Sequence, residues 1–338
     1  MAERDIVEKQ KLHEARHLHP HTSHLQALIR VSQIIPQGTE VGDPISGGYA
    51  SQVFEGFFNG RPVIIKHTED LENPGSNLIL SRKAIETGIK VISLLQEVAE
   101  IRVPNVIAYD PEIATMVMED LREDGYVHTP KYVRENHSLP AESARKAGLA
   151  FGHLVRESRS WGPELPTRTA MEDILLTTRG IVATYGPNSF YEIRIIQRFI
   201  QNQGWVWWDS TPNNTLVKGD GKTAFIDFDS SCWGDRQITL PMFLSHIIIY
   251  GLTGHMDRSD AIEYIRNCVQ AFREVESLDE SAFCQYAAME ILGNSKGQFT
   301  QVGVGDSQTS VLESFAKKVL ETNMDRIDDL IDLMSTTK

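Results

Sequence analysis

Cysteine is scarce in this chain. Cys232, Cys268 and Cys284 are the only three, an odd number with no CxxC spacing. That excludes a disulfide framework and gives no zinc-ligand pattern. Long apolar runs are also missing: the most continuous, Phe243 to Leu252, is too short and interrupted to span a bilayer. Positive charge is in deficit, with 33 Lys and Arg against 46 Asp and Glu and a net charge of −13. Such a surface argues against nucleic acid or a membrane as partner, and it accommodates a cationic small molecule. The first residues, MAERDIVEKQK, contain no apolar core of a secretory signal, so the expected location is the cytoplasm. No fixed-period repeat and no low-complexity linker interrupts the 338 residues, which suffice for one large or two modest domains.

What is present is organised around Trp205 to Asp235. The stretch reads as strand, polar loop, short strand, tight turn, strand, with Asp220-Gly221 as a hairpin signal between two apolar runs. Asp209 opens the loop, Asn214 follows five positions later, and Asp227 ends the strand formers Thr223 to Ile226. A hairpin here returns Asp227 to the neighbourhood of Asn214. Two carboxylates and an amide oxygen then converge, a hard-oxygen set suited to magnesium, which takes its remaining ligands from phosphate and water. An Asp followed by four residues and an Asn is also the spacing of a kinase catalytic loop. The bland reading is an ordinary hairpin with polar turn residues. Gly221-Lys222-Thr223 imitates the end of a P-loop, but its first glycine slot holds Leu216 and the segment opens no helix.

Upstream, residues 36 to 66 read as a small antiparallel sheet. Gly47-Gly48, followed by Ser51, sits between short strands, where adjacent glycines let backbone N–H groups approach phosphate oxygens. The β-branched run Pro62 to Ile65 ends in Lys66, placed as a kinase places its phosphate lysine; the plain reading is a strand-end lysine. Apolar residues at helical spacing mark a helix from Leu78 to about Val98. It contains Glu86, the candidate partner of Lys66, with Glu97 as competitor. Strands follow at Val106 to Tyr109 and Thr115 to Met118, and Met116 to Leu121 reads either as a connection to a second domain or as a buried edge strand and its exit. From Pro140 onward the pattern is mainly helical: Pro140 to Arg159, Glu172 to Tyr185, Tyr191 to Gln203, Leu240 to Tyr250, Ala261 to Val275, Ser281 to Leu292 and Val311 to Met334. The first 35 residues are polar, helical in pattern and rich in histidine. His13 and His17 have metal-site spacing, but no Cys or acidic cluster completes a ligand set.

Taken in order, Gly47-Gly48, Lys66, Glu86, the 116–121 connection, Asp209, Asn214 and Asp227 resemble the aminoglycoside phosphotransferase and choline kinase-like family of small-molecule kinases. The resemblance covers about residues 40 to 250. It implies an α+β, bilobal protein-kinase-like fold, which with the pattern along the chain gives an extension over 1–35, an ATP-binding lobe over 36–120 and a helical lobe over 121–338. It also implies an ATP- and magnesium-dependent phosphotransferase acting on a hydroxyl of a small molecule. Asp209 would be the catalytic base, and Asn214 and Asp227 the metal ligands. Lys66, held by Glu86, would contact the phosphates that Gly47, Gly48 and Ser51 cover. The backbone of Met118, Glu119 and Asp120 would bind adenine.

Three departures from the family pattern stand out. Trp207-Trp208 replaces the usual His-Gly before the base, and the lost His normally braces the loop. Trp208 is open to two readings, packing or stacking on a substrate. Asp229 occupies a glycine slot, where it would add charge near the metals or meet a substrate amine. Thr239 stands where a structural Asp is common. These departures keep an alternative in view, a nucleotide-binding pseudokinase or regulatory module without transfer.

Overall fold

The computed structural model describes residues 22–45, 52–67, 82–98, 101–162, 178, 180–201, 203–295 and 305–337. Gly47, Gly48, Ser51, the turn at 73–77 and the histidines before residue 22 lie outside them, as do the first part of the Glu172 to Tyr185 helix and the start of the one at Leu78. The chain divides into two compact units, Met1–Glu86 with Pro104–Asp124, and Thr87–Val103 with Gly125–Lys338.

In the first unit, α1 (Thr22–Val31) precedes β1 (Glu40–Pro44), β2 (Gln52–Phe58) and β3 (Arg61–His67). The helix α2 (Arg82–Gln96) follows, and the unit boundary falls within it. Then come β4 (Val106–Asp110) and β5 (Thr115–Glu119), and the five strands form one antiparallel sheet in the order β1-β2-β3-β5-β4. The β2–β3 turn is Asn59-Gly60, both at positive φ (52° and 73°), as a two-residue hairpin turn that follows the strand twist requires. Alternation puts Phe54, Val63, Ile65 and Val117 on one face, where Leu25 and Ile29, one turn apart on α1, cover them. β5 lies inside the sheet, paired on both sides, so the edge-strand reading of its sequence is corrected.

The second unit contains β6 (Val127–His128), α3 (Thr129–Asn136), α4 (Ala141–Glu157), α5 (Phe190–Gln201), β7 (Gln203–Trp207), β8 (Thr215–Val217), β9 (Thr223–Phe225) and β10 (Ser231–Asp235). The helices α6 (Thr239–Thr253), α7 (Arg258–Val275), α8 (Glu280–Ser295), α9 (Asp306–Glu321) and α10 (Ile327–Thr336) complete it. α6 is buried along its whole length, so a continuous apolar sequence rather than a stripe is what its position demands. Gly148 and Gly152 let α4 lie directly on α7: a Cβ at Gly148 would stand 2.1 Å from the Cys268 carbonyl oxygen. The helical pattern from Val311 to Met334 resolves into two helices, broken where Asn323 turns left-handed at φ 53°. Among the described residues no helix is long and apolar enough to cross a membrane.

Candidate active site

The loop bearing Asp209 leaves β7 and closes on itself. Thr211 N–H bonds the Asp209 carbonyl at 2.8 Å, and Asn214 N–H bonds the Thr211 carbonyl at 3.0 Å across a single turn begun by Pro212. Proline suits that first position because its fixed φ is already helical and its missing N–H has no partner to lose. Ser210 Oγ donates to the Thr239 carbonyl at 2.8 Å and ties the loop to the start of α6.

From Thr215 the chain runs through the β8–β9 hairpin. Thr215 faces Phe225 and Val217 faces Thr223, and the turn is closed at Lys218–Lys222 with Gly221 at φ +84°. The hairpin returns the chain so that Ile226 N–H bonds the Asn214 carbonyl at 3.0 Å. Asp227 is therefore set down beside Asn214 by pairing that begins twelve residues earlier, at Thr215. It takes the left-handed backbone region, φ +60°, which Asp tolerates better than most residues.

The side chains follow this frame. Asn214 Nδ2 donates both to the Asp209 carbonyl and to Asp209 Oδ2, each at 2.8 Å. Both amide hydrogens are thus committed to Asp209, and Oδ1 is the atom left to accept. Asp209 keeps some accessible surface but lies deep among protein atoms. Burial is the first cause raising its carboxyl to about 6, and the charge of Asp227 is the second. The Asn214 bond opposes the rise; Glu290 adds to it and His246 relieves it. Glu290 on α8 pairs with buried His246 on α6 at 3.3 Å and also accepts from Asn294 at 2.8 Å. Asp229 is buried, with its Oδ1 lying against the Cα of Gly88 on α2.

The two indoles before Asp209 differ. Trp207 is fully buried. It packs on Phe228 at 4.7 Å, edge-on to Phe225 at 5.7 Å, and donates Nε1–H to the Asp227 carbonyl at 3.0 Å. Trp208 is half-buried and stands edge-on to Phe199 at 5.4 Å.

No family model and no curated protein sequence matches this chain. Solved structures do. The amicoumacin kinase hAmiN, in complex with AMP-PNP, Ca2+ and Ami, aligns with a TM-score of 0.61 at 14% identity, over 95% of this chain and 99% of its own. Choline kinase LicA from Streptococcus pneumoniae aligns at 0.51 and 14% identity, over 89% and 98%. The AMP-bound complex of spectinomycin phosphotransferase APH(9)-Ia aligns at 0.51 and 12%, over 94% and 98%. The chain has the protein-kinase-like fold of these small-molecule kinases.

Of the residues the sequence singled out, Asp209, Asn214 and Asp227 are brought together in the second unit, with Trp208 and Asp229 flanking them in sequence. In the first unit, Lys66 is buried on β3, its main chain opposite Val53 on one side and Met116 on the other. Glu86 is half-buried on α2, whereas Glu97 lies past the end of that helix. Met118 and Glu119 end β5, and Asp120 is buried and clamped by the Arg122 guanidinium at 2.6 Å. Sequence reasoning missed His246, Glu290 and the hydrogen bond from Trp207, as well as His128, whose Nδ1 lies 3.2 Å from the Asn213 carbonyl. Each of these acts on a residue far along the chain, and no local pattern signals it.

Proposed function

We propose that this protein transfers the γ-phosphoryl group of ATP to a hydroxyl of a small molecule, with magnesium as cofactor. The observation that carries the reading is the hairpin-enforced approach of Asp227 to Asn214 and Asp209. In this reading Asp209 orients the acceptor hydroxyl and accepts its proton. Asn214 Oδ1 and the Asp227 carboxylate hold the metal, which when bound neutralises charge on the phosphate oxygens. The donor set fits. It is hard oxygen, the Asp227 carboxylate beside the Asp209 charge favours a cation, and the amide is turned by its own hydrogen bonds to offer oxygen. Among the described residues no three His, Cys, Asp or Glu side chains group as a metal cage.

Lys66 is proposed to contact the ATP phosphates with Glu86 holding it, Gly47, Gly48 and Ser51 to cover them, and the backbone of Met118 to Asp120 to meet adenine. Trp208 and Asp229 are proposed acceptor-side residues. The acidic balance supports amine-bearing acceptors, and the fold relatives named for amicoumacin, choline and spectinomycin make aminoglycoside-like molecules, amino alcohols and sugars the panel to try. Transfer of radiolabel from γ-labelled ATP to that panel tests the reading. Asp209→Ala is expected to lower transfer by about 10²–10⁴-fold, with nucleotide binding retained. Magnesium-dependent nucleotide binding without transfer to any acceptor would favour the regulatory module instead.

A further inference from the structure

We propose that Trp207 is a positioning residue that fixes the Asp227 carboxylate through the main chain; this rests on the assignment of Asp227 as a metal ligand. The direction of a residue's side chain follows from its φ and ψ. At Asp227 φ is +60°, in a region that few non-glycine residues occupy, although Asp is among those that enter it most readily. The orientation of the carbonyl sets ψ, and that carbonyl accepts the Trp207 indole N–H at 3.0 Å.

The donor is itself immobile. Trp207 is fully buried, its main chain pairs with Ser231 of β10, and its ring is enclosed by Phe151, Phe225 and Phe228. The turn that follows Asp227 is held in the same manner: Ser231 Oγ donates to the Phe228 carbonyl, and Trp208 N–H to the Ser230 carbonyl at 3.2 Å. Next to the indole lies a void of about 10 Å³ lined by Leu95, Ile101, Phe151, Trp207, Phe225 and Phe228. Those walls are apolar side chains. Packing alone does not require tryptophan at this position; an aromatic ring without N–H fills most of the same space. What it cannot do is hold the Asp227 carbonyl.

The test separates shape from hydrogen bond. Binding of Mn2+ in the presence of AMP-PNP is measured by electron paramagnetic resonance for wild type, Trp207→Phe and Trp207→His, with thermal melting recorded alongside. Loss of one hydrogen bond predicts Mn2+ binding weakened by about three- to tenfold in Trp207→Phe. Trp207→His, which brings a ring N–H to nearly the same place, should recover most of it while packing less well. Equal Mn2+ affinity in Trp207→Phe and wild type overturns the inference, as does a histidine variant no better than phenylalanine. Should Trp207→Phe fail to fold, benzothienylalanine at position 207 keeps the bicyclic shape without the N–H, and the same loss of Mn2+ affinity is expected of it. Wild-type protein that binds no Mn2+ refutes the phosphotransferase reading and this inference with it, whereas wild-type binding that Trp207→Phe shares in full refutes this inference alone.

Discussion

Gly88→Ala sets two forces against each other. Gly88 lies inside α2, where alanine is favoured over glycine by about 1 kcal/mol of helix propensity. By that term alone the variant gains stability. A Cβ at this position, however, would stand 2.4 Å from Asp229 Oδ1 and 3.5 Å from the Asp229 backbone nitrogen. Ordinary contact requires the carboxylate to retreat by roughly 1 Å. Asp229 is 3% exposed, so it has little free space to enter, and overpacking of a tight interior costs about 1–3 kcal/mol. The balance is a net loss of about 0–2 kcal/mol, together with weaker metal-dependent nucleotide binding, because Asp229 is two residues from Asp227. Urea unfolding measures the first effect and Mn2+ titration with AMP-PNP the second. Asp229→Gly in the Gly88→Ala background removes the clash, so the double-mutant cycle should show a coupling on the order of 1 kcal/mol. A Gly88→Ala protein more stable than wild type, with unchanged metal binding and no coupling to position 229, would refute this account of the contact.

Gly148→Ala places a methyl 2.1 Å from the Cys268 carbonyl and 2.8 Å from Ala271 Cβ, forcing α4 off α7; thermal melting should show a loss of about 1–3 kcal/mol or more. The three cysteines are buried, and burial pushes the Cys284 thiol up to about 12 and that of Cys268 higher, so a thiol reagent at pH 8 should label none in the native protein and all three after unfolding. Burial also raises Asp235, against bonds from Gln237 N–H and Tyr286 Oη that lower it, so the folded state holds that proton more tightly than the unfolded chain. Its contribution to stability is therefore greatest at low pH and falls as pH rises from the ordinary carboxylate range through the folded value. Asp235→Asn should flatten that part of the stability–pH curve, measured by urea unfolding.

The β8–β9 hairpin was legible because strand formers flank Asp220-Gly221, and that local signal sufficed to bring Asp227 back to Asn214. The strand β10 was not. Ser231-Cys232-Trp233-Gly234-Asp235 lacks polar–apolar alternation, being buried on both faces save Trp233, and its partner β7 begins 28 positions earlier at Gln203. Gly234 is needed there because the Phe199 ring lies on its Cα, a contact no local pattern announces. For β5 the edge-strand alternative stayed open beside the reading as a connection, because its apolar run looks the same with one neighbour or two. The substitution of Trp for His at 207 was visible, but not its consequence: which carbonyl the indole would reach depended on the fold of residues twenty positions away. The bearing of His246 and Glu290 on Asp209 was invisible for the same reason, since the segments that carry them read simply as helices.

Calorimetric titration of AMP-PNP into wild type, Asp209→Asn and Asp227→Ala, with and without Mg2+, bears most directly on the roles assigned to these carboxylates. Wild type and Asp209→Asn should bind the nucleotide tightly only with Mg2+, and Asp227→Ala should lose that dependence along with most of the affinity. Equal binding by all three proteins, indifferent to the metal, would contradict the assignment.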